Sequence, residues 1–193
     1  MEPTERQAIY ELQTGQLYDA IGKCSVKFEH VCFGMHQGIT LLLGMNGLRN
    51  QRLARVLLAE LTAYPLKSIL QAMIAEIVSL PPDEKSISDK IFVRVQKLIE
   101  RRNEIIHSTW FVGWAHPDDT DFSRVSGHKW ARGKQGADRK SANYTREDFD
   151  AFAVECDLVA ALVNRLWVCI MDSNKLTKNF VLDSVGNVAC PDR

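Results

Sequence analysis

The sequence carries no surplus of charge of either sign, since 24 Lys and Arg residues balance 24 Asp and Glu residues. A chain without a global field has no general attraction to nucleic acid or to an anionic membrane, so any charge signal has to be local. No apolar run approaches the roughly 20 residues needed to cross a bilayer. The opening Met-Glu-Pro-Thr-Glu-Arg has no basic region followed by an apolar stretch. Neither secretion nor a membrane anchor is expected. Cysteine is sparse and odd in number: Cys24, Cys32, Cys156, Cys169 and Cys190 are widely spaced and mostly set in apolar helical patterns. This reads as reduced, buried thiols, and the cytoplasm is the expected location. Also missing are a GxxxxGKS or GxxxxGKT phosphate loop, a GxGxxG turn after a strand and a GxSxG elbow. P-loop hydrolysis, dinucleotide redox chemistry and hydrolase-elbow catalysis therefore have no carrier. The histidines and cysteines lack structural zinc spacing, and the turn bearing His116, Asp118, Asp119 and Asp121 reads as a solvated acidic loop. No metal and no cofactor are expected.

What the chain does have is helical periodicity. Leu17, Ile21, Cys24, Phe28, Val31, Met35, Ile39 and Leu42 recur at steps of three and four, which predicts a long core helix stopping near Gly44 to Gly47. A second helix is expected from about Gln51 to Tyr64, and a third, opened by Pro65, to Leu80, where Pro81-Pro82 ends it. Ser86 and Asp89 suggest a capping box for a helix running through Trp110. Residues 111–144 lose the helical period and gain turn residues, including Ser126-Gly127, and read as a loop insertion with a small hairpin from Phe122 to Val125 and Lys129 to Ala131. Thr145 and Asp148 form a second capping box. Phe149, Phe152, Cys156, Val159, Val163, Leu166 and Ile170 then make the stripe of a last helix ending near Asp172. Residues 173–193 are weakly patterned, and no internal repeat is visible. The expected fold is an all-α, antiparallel four- to five-helix bundle with a small β-hairpin/loop insertion before the last helix, in one domain over residues 1–193.

The fourth helix carries the chemistry. At about 100° per residue from Val95, the side chains of Ile91, Phe92, Leu98, Ile99, Ile105, Ile106 and Trp110 fill an arc of roughly 140°. Arg102 falls near its middle, where the pattern calls for Leu or Ile and where desolvating a guanidinium costs on the order of several kcal/mol unless compensated. Asn103 and His107 lie one turn apart on the flank of the arc. Arg102-Asn103-x3-His107, late in a long helix, resembles the Arg-x4-6-His signature of the HEPN superfamily, with Arg101 as a second reading of the motif arginine. The close likeness spans about Leu98 to Trp110. It implies a homodimer in which two motif helices line one cleft, and an endoribonuclease of the kind found in toxin-antitoxin and other defence systems, with a separate antitoxin-like protein as a possible partner. Members that have lost activity imply the alternative, a catalytically inactive dimer binding RNA, a nucleotide or a protein. The residue types suit RNA cleavage independently: a 2′-hydroxyl beside its own phosphate needs only proton transfer and charge stabilisation. Histidine titrates near neutrality and can take either proton-transfer role. Arg102 can stabilise the phosphate, and Asn103 can bond the phosphate or hold the His107 ring. Such chemistry needs no metal and leaves DNA inert, because DNA lacks the 2′-hydroxyl.

Between Phe122 and Arg146 the bases Arg124, Lys129, Arg132, Lys134, Arg139, Lys140 and Arg146 meet a single acid, Asp138, with Trp130 and Tyr144 interleaved. Phosphates attract the bases and aromatics stack on unpaired nucleobases, so the insertion is expected to hold RNA through Arg124, Lys129, Trp130, Arg132, Lys134, Arg139 and Lys140. A solvated loop is the competing reading.

Overall fold

The structure, a computed structural model, describes residues 2–113, 122, 124–133 and 136–191. These residues are mostly helical. In chain order they form α1 (Pro3–Met45), α2 (Gln51–Leu58), α3 (Ala63–Ile77), α4 (Pro82–His107), β1 (Thr109–Val112), β2 (Val125–Gly133), β3 (Gly136–Tyr144), α5 (Arg146–Met171), α6 (Leu176–Asn179), β4 (Val181–Leu182) and β5 (Val188–Ala189). Among them no helix is long and apolar enough to cross a membrane.

The periodic stripes are the buried ones. Leu17, Cys24, Phe28, Val31, Met35, Ile39 and Leu42 of α1 are buried, as is every member of the α5 stripe from Phe149 to Ile170; Ile21 is half-buried. α1 begins well before Leu17, because Pro3 suits the first helical position and the mostly exposed residues that follow include good helix formers needing no apolar period. Gly47 sits at φ +96, and the amides of Gly47 and Leu48 bond the carbonyls of Gly44 and Leu43, closing α1 as a glycine C-cap. α2 stops at Leu58, short of the expected Tyr64, and Glu60 turns the chain through φ 63. α4 starts at Pro82, with Asp83 and Glu84 in the first turn where the helix dipole favours acids, so Ser86 and Asp89 lie inside the helix and form no cap. The Thr145–Asp148 box is present: Asp148 Oδ2 accepts from the Thr145 amide at 2.9 Å, and Thr145 Oγ1 accepts from the Asp148 amide at 3.4 Å.

The described residues fall into two compact units. The first comprises Met1–Lys27 and Glu100–Val154 and contains an antiparallel sheet of order β1-β2-β3. The insertion is therefore larger than the small hairpin expected. Lys129 to Ala131 do not pair with the described residues Phe122, Arg124 and Val125, Ser123 lying outside the described residues, and Ser126-Gly127 is strand, not turn; the pairs are Trp110 with Gly127, Lys129 with Lys140 and Trp130 with Arg139. Trp110 lies on β1 and has no place on the α4 arc, because α4 ends at His107. Ser108 Oγ donates back to the Glu104 carbonyl at 2.7 Å, and the following Thr-Trp-Phe-Val run favours a strand. Phe149 packs edge-on against Trp110, Tyr144 and Phe122 at 5.3, 5.3 and 6.0 Å between centroids. Cys24 Sγ donates to the Phe149 carbonyl at 3.4 Å, and burial, with Asp150 adding, pushes that thiol up to about 11.

The second unit comprises Phe28–Ile99 and Glu155–Arg193. Here the segment after Ser173 is ordered into α6 and the β4–β5 hairpin, contrary to the weakly structured tail expected. Arg94 holds it: its guanidinium grips both Glu155 oxygens at 2.8 and 2.7 Å and donates to the Val188 carbonyl at 2.6 Å, while Lys90 donates to the Gly186 carbonyl at 3.0 Å. Long-range side-chain anchors of this kind leave no periodic trace in the tail itself.

Candidate functional site

The motif residues sit in the last two turns of α4. Arg102 is half-buried, and its Nη1 donates to Asn103 Oδ1 at 3.3 Å. Asn103 is also half-buried, and its backbone carbonyl accepts from Lys129 Nζ of β2 at 3.3 Å, a cation near a helix C-terminus where the dipole favours it. His107, the last residue of the helix, is exposed and lies one turn from Asn103. The fold thus joins the side chains of Arg102 and Asn103 directly; among the described residues no side-chain hydrogen bond joins Asn103 to His107. Arg101 points elsewhere, stacking its guanidinium 5.0 Å from the Tyr144 ring centroid and lying 3.7 Å from Asp148. Of the two arginines, Arg102 is the one that meets the asparagine.

Trp110 fixes the end of this helix. Its indole Nε1 donates at 2.7 Å to the carbonyl of Ile105, one of the last four of α4, which lack a partner within the helix. Its ring stacks on Tyr144 at 5.1 Å and lies so close to Gly127 that a Cβ there would stand 2.7 Å from a ring carbon. Only glycine leaves that space. Burial pushes the Tyr144 hydroxyl up to about 12, with the Arg101 charge opposing the shift.

The sheet sorts the basic segment by face, because side chains alternate along a strand and direct partners share a side. Lys129 and Lys140 lie on the inner side with Gly127, Val125 and Tyr144. There they line a groove of about 330 Å³ that is also lined by Glu100 and Glu104 of α4 and by Ser108, the residue after it. Two carboxylates balance two ammonium groups, so the groove has no net attraction for phosphate. Trp130, Arg132 and Arg139 lie on the outer side and are exposed, and Arg124, just ahead of β2, is exposed as well. Tyr144, read as interleaved with the bases, is instead buried in the aromatic cluster. Lys134 and the His116, Asp118, Asp119 and Asp121 turn lie outside the described residues. Among the described residues no three His, Cys, Asp or Glu side chains converge as a metal site would require.

Sequence reasoning missed Phe111 and His128 on the outer face, and Glu100 and Glu104 on the groove. The signal for the first pair was the pairing register, which follows from the Gly133 and Gly136 ends of the two strands and not from apolar alternation. No family model, curated protein or solved structure matches the chain.

Proposed function

We propose that the chain is a metal-independent endoribonuclease of HEPN type, a helical bundle acting as a cytoplasmic homodimer with its catalytic residues at the end of α4. The observation that carries this reading is the half-buried Arg102 guanidinium bonded to Asn103 one turn before an exposed His107. A cation in a partly dry position stabilises developing phosphate charge more strongly than a solvated one, and an exposed imidazole can reach substrate. In the reaction His107 takes the proton of the 2′-hydroxyl, the 2′-oxygen bonds the phosphorus, and the bond to the 5′-oxygen breaks. The 5′-oxygen leaves with a proton from a second acid, for which the partner protomer's copy of the histidine is the natural source. Arg102 holds the phosphate oxygens as their charge grows, and Asn103 orients Arg102 through its carbonyl oxygen. The bases on the outer side of β2 and β3, Arg132 and Arg139, supply affinity. A defence role, opposed by an antitoxin-like protein, is consistent with such an activity.

The test uses an RNA and a DNA of the same sequence, each incubated with the protein in EDTA. The expected outcome is cleavage of RNA alone, leaving 2′,3′-cyclic phosphate and 5′-hydroxyl ends. Cleavage of both, or of RNA only with added metal, would overturn the proposal.

A further inference from the structure

The β1–β2–β3 sheet keeps its single acid, Asp138, off the face that carries Phe111, His128, Trp130, Arg132 and Arg139. On the outer face Phe111 and Trp130 are 54% and 73% exposed, a large apolar area left in water on a strand surface. His128 lies between them: its ring centroid is 5.8 Å from that of Phe111, and it precedes Trp130 by two residues on the same side of β2. Three rings therefore form a row. Arg139, the cross-strand partner of Trp130, brings Nη2 to 3.1 and 3.2 Å from the two ring nitrogens of His128, and Ser141 Oγ lies 2.9 Å from Nδ1. These contacts hold the imidazole in place. They engage one nitrogen of a guanidinium that has five donors, leaving others for an incoming oxyanion. Arg132 follows on the same side, and among the described residues of these three strands this side carries no Asp or Glu. The single acid of the strands, Asp138, lies on the inner side.

We propose that this outer face is a stacking platform for single-stranded RNA, with unpaired bases lying on Phe111, His128 and Trp130 and phosphates meeting Arg132 and Arg139. Flat rings bind any base through its π-face, and arginines beside them neutralise the connecting phosphates, a combination that suits a single strand and not a closed duplex, whose bases are already stacked. Complementarity of charge selects the polyanion, since the face pairs cations with rings and carries no Leu, Ile, Val or Met to form an aliphatic interface core. The platform deepens the ribonuclease reading by saying where the strand lies outside the cleavage site, and it rests on that reading only for the choice of RNA over DNA. It also divides the basic segment: Lys129 and Lys140, turned toward Glu100 and Glu104, do not belong to it.

Full-length His107→Ala protein, used to prevent turnover, is titrated with a fluorescein-labelled 12-mer oligouridylate and with the corresponding RNA duplex, reading anisotropy over a salt series. Trp130→Ala, added to that background, is expected to weaken single-strand binding about tenfold. Arg139→Ala is expected to lower the salt slope by about one unit. The Lys129→Ala/Lys140→Ala double variant should bind within about twofold of its parent, and the duplex should bind more weakly than the single strand. Trp130 is exposed, so its loss leaves folding intact, which a thermal melt verifies. Unchanged affinity in both Trp130→Ala and Arg139→Ala, or equal affinity for duplex, overturns the platform. So does loss of self-association in Trp130→Ala with RNA affinity intact, which would make the face a protein interface. Trp130-dependent binding supports the platform even if wild type never cleaves RNA; cleavage by wild type with Trp130-independent binding overturns it and leaves the ribonuclease reading standing.

Discussion

At the scale of single residues, charge placement governs what each side chain contributes. Asp150 illustrates the structural case: the hydrogen bond from Lys23 is the largest cause lowering its carboxyl below the ordinary 3.8, partly opposed by burial and helped by the charges of Lys23 and Arg146. A carboxyl lowered in the folded state contributes stability that is present above its ordinary value and is lost as pH falls through its lowered one. Both partners are well exposed, so solvent screening limits the contribution to about 0.5 kcal/mol. Lys23→Ala is expected to melt slightly lower than wild type at pH 6 and to converge with it in acid, as the Asp150 carboxyl is protonated; a difference that persists undiminished in acid would contradict the assignment. Arg102 was legible for a related reason, since a guanidinium in an arc of Leu, Ile and Phe stands out from the pattern. Its bond to Asn103 was legible only as proximity, because spacing fixes position on the helix and not rotamer. Arg101 and Arg102 could not be told apart in the sequence. They differ in the fold because the wheel turns one toward Tyr144 and Asp148 and the other toward Asn103.

At the scale of elements, α1 and α5 were readable because each buries a continuous stripe, and one period accounts for it. The end of α4 was not, since Trp110 happens to fall on the helical arc although it belongs to β1. The sheet escaped because the inner side of β2 presents Val125, Gly127, Lys129 and Ala131, a mixture of small and charged residues that gives no apolar alternation. Gly127 is the point where sheet, aromatic cluster and helix end meet. Gly127→Ala forces a methyl group into the Trp110 ring, and the ring can yield only by disturbing its stack on Tyr144 and its bond to the Ile105 carbonyl. A loss of about 1–3 kcal/mol is expected in denaturant melts, the usual range for overpacking. Any RNA cleavage should fall with it, since the last turn of α4 carries His107. A variant as stable as wild type would show that the close approach is readily relieved.

At the scale of the whole molecule, the balanced net charge conceals a segregated distribution, and composition alone could not report it. The tail was likewise hidden, because Arg94 and Lys90 anchor it from far away in sequence. The proposed activity requires a second copy of α4, so the protein is expected to be dimeric in light scattering at micromolar concentration; a strict monomer would remove the composite cleft. The central claim, that Arg102, Asn103 and His107 form a cleavage site, is tested most directly by the initial rate of RNA cleavage in EDTA for wild type and His107→Ala at matched concentration. Removing a proton-transfer group from an exposed helix end should lower the rate by about 10²-fold or more while leaving the melting temperature unchanged. Equal rates for the two proteins would contradict the account.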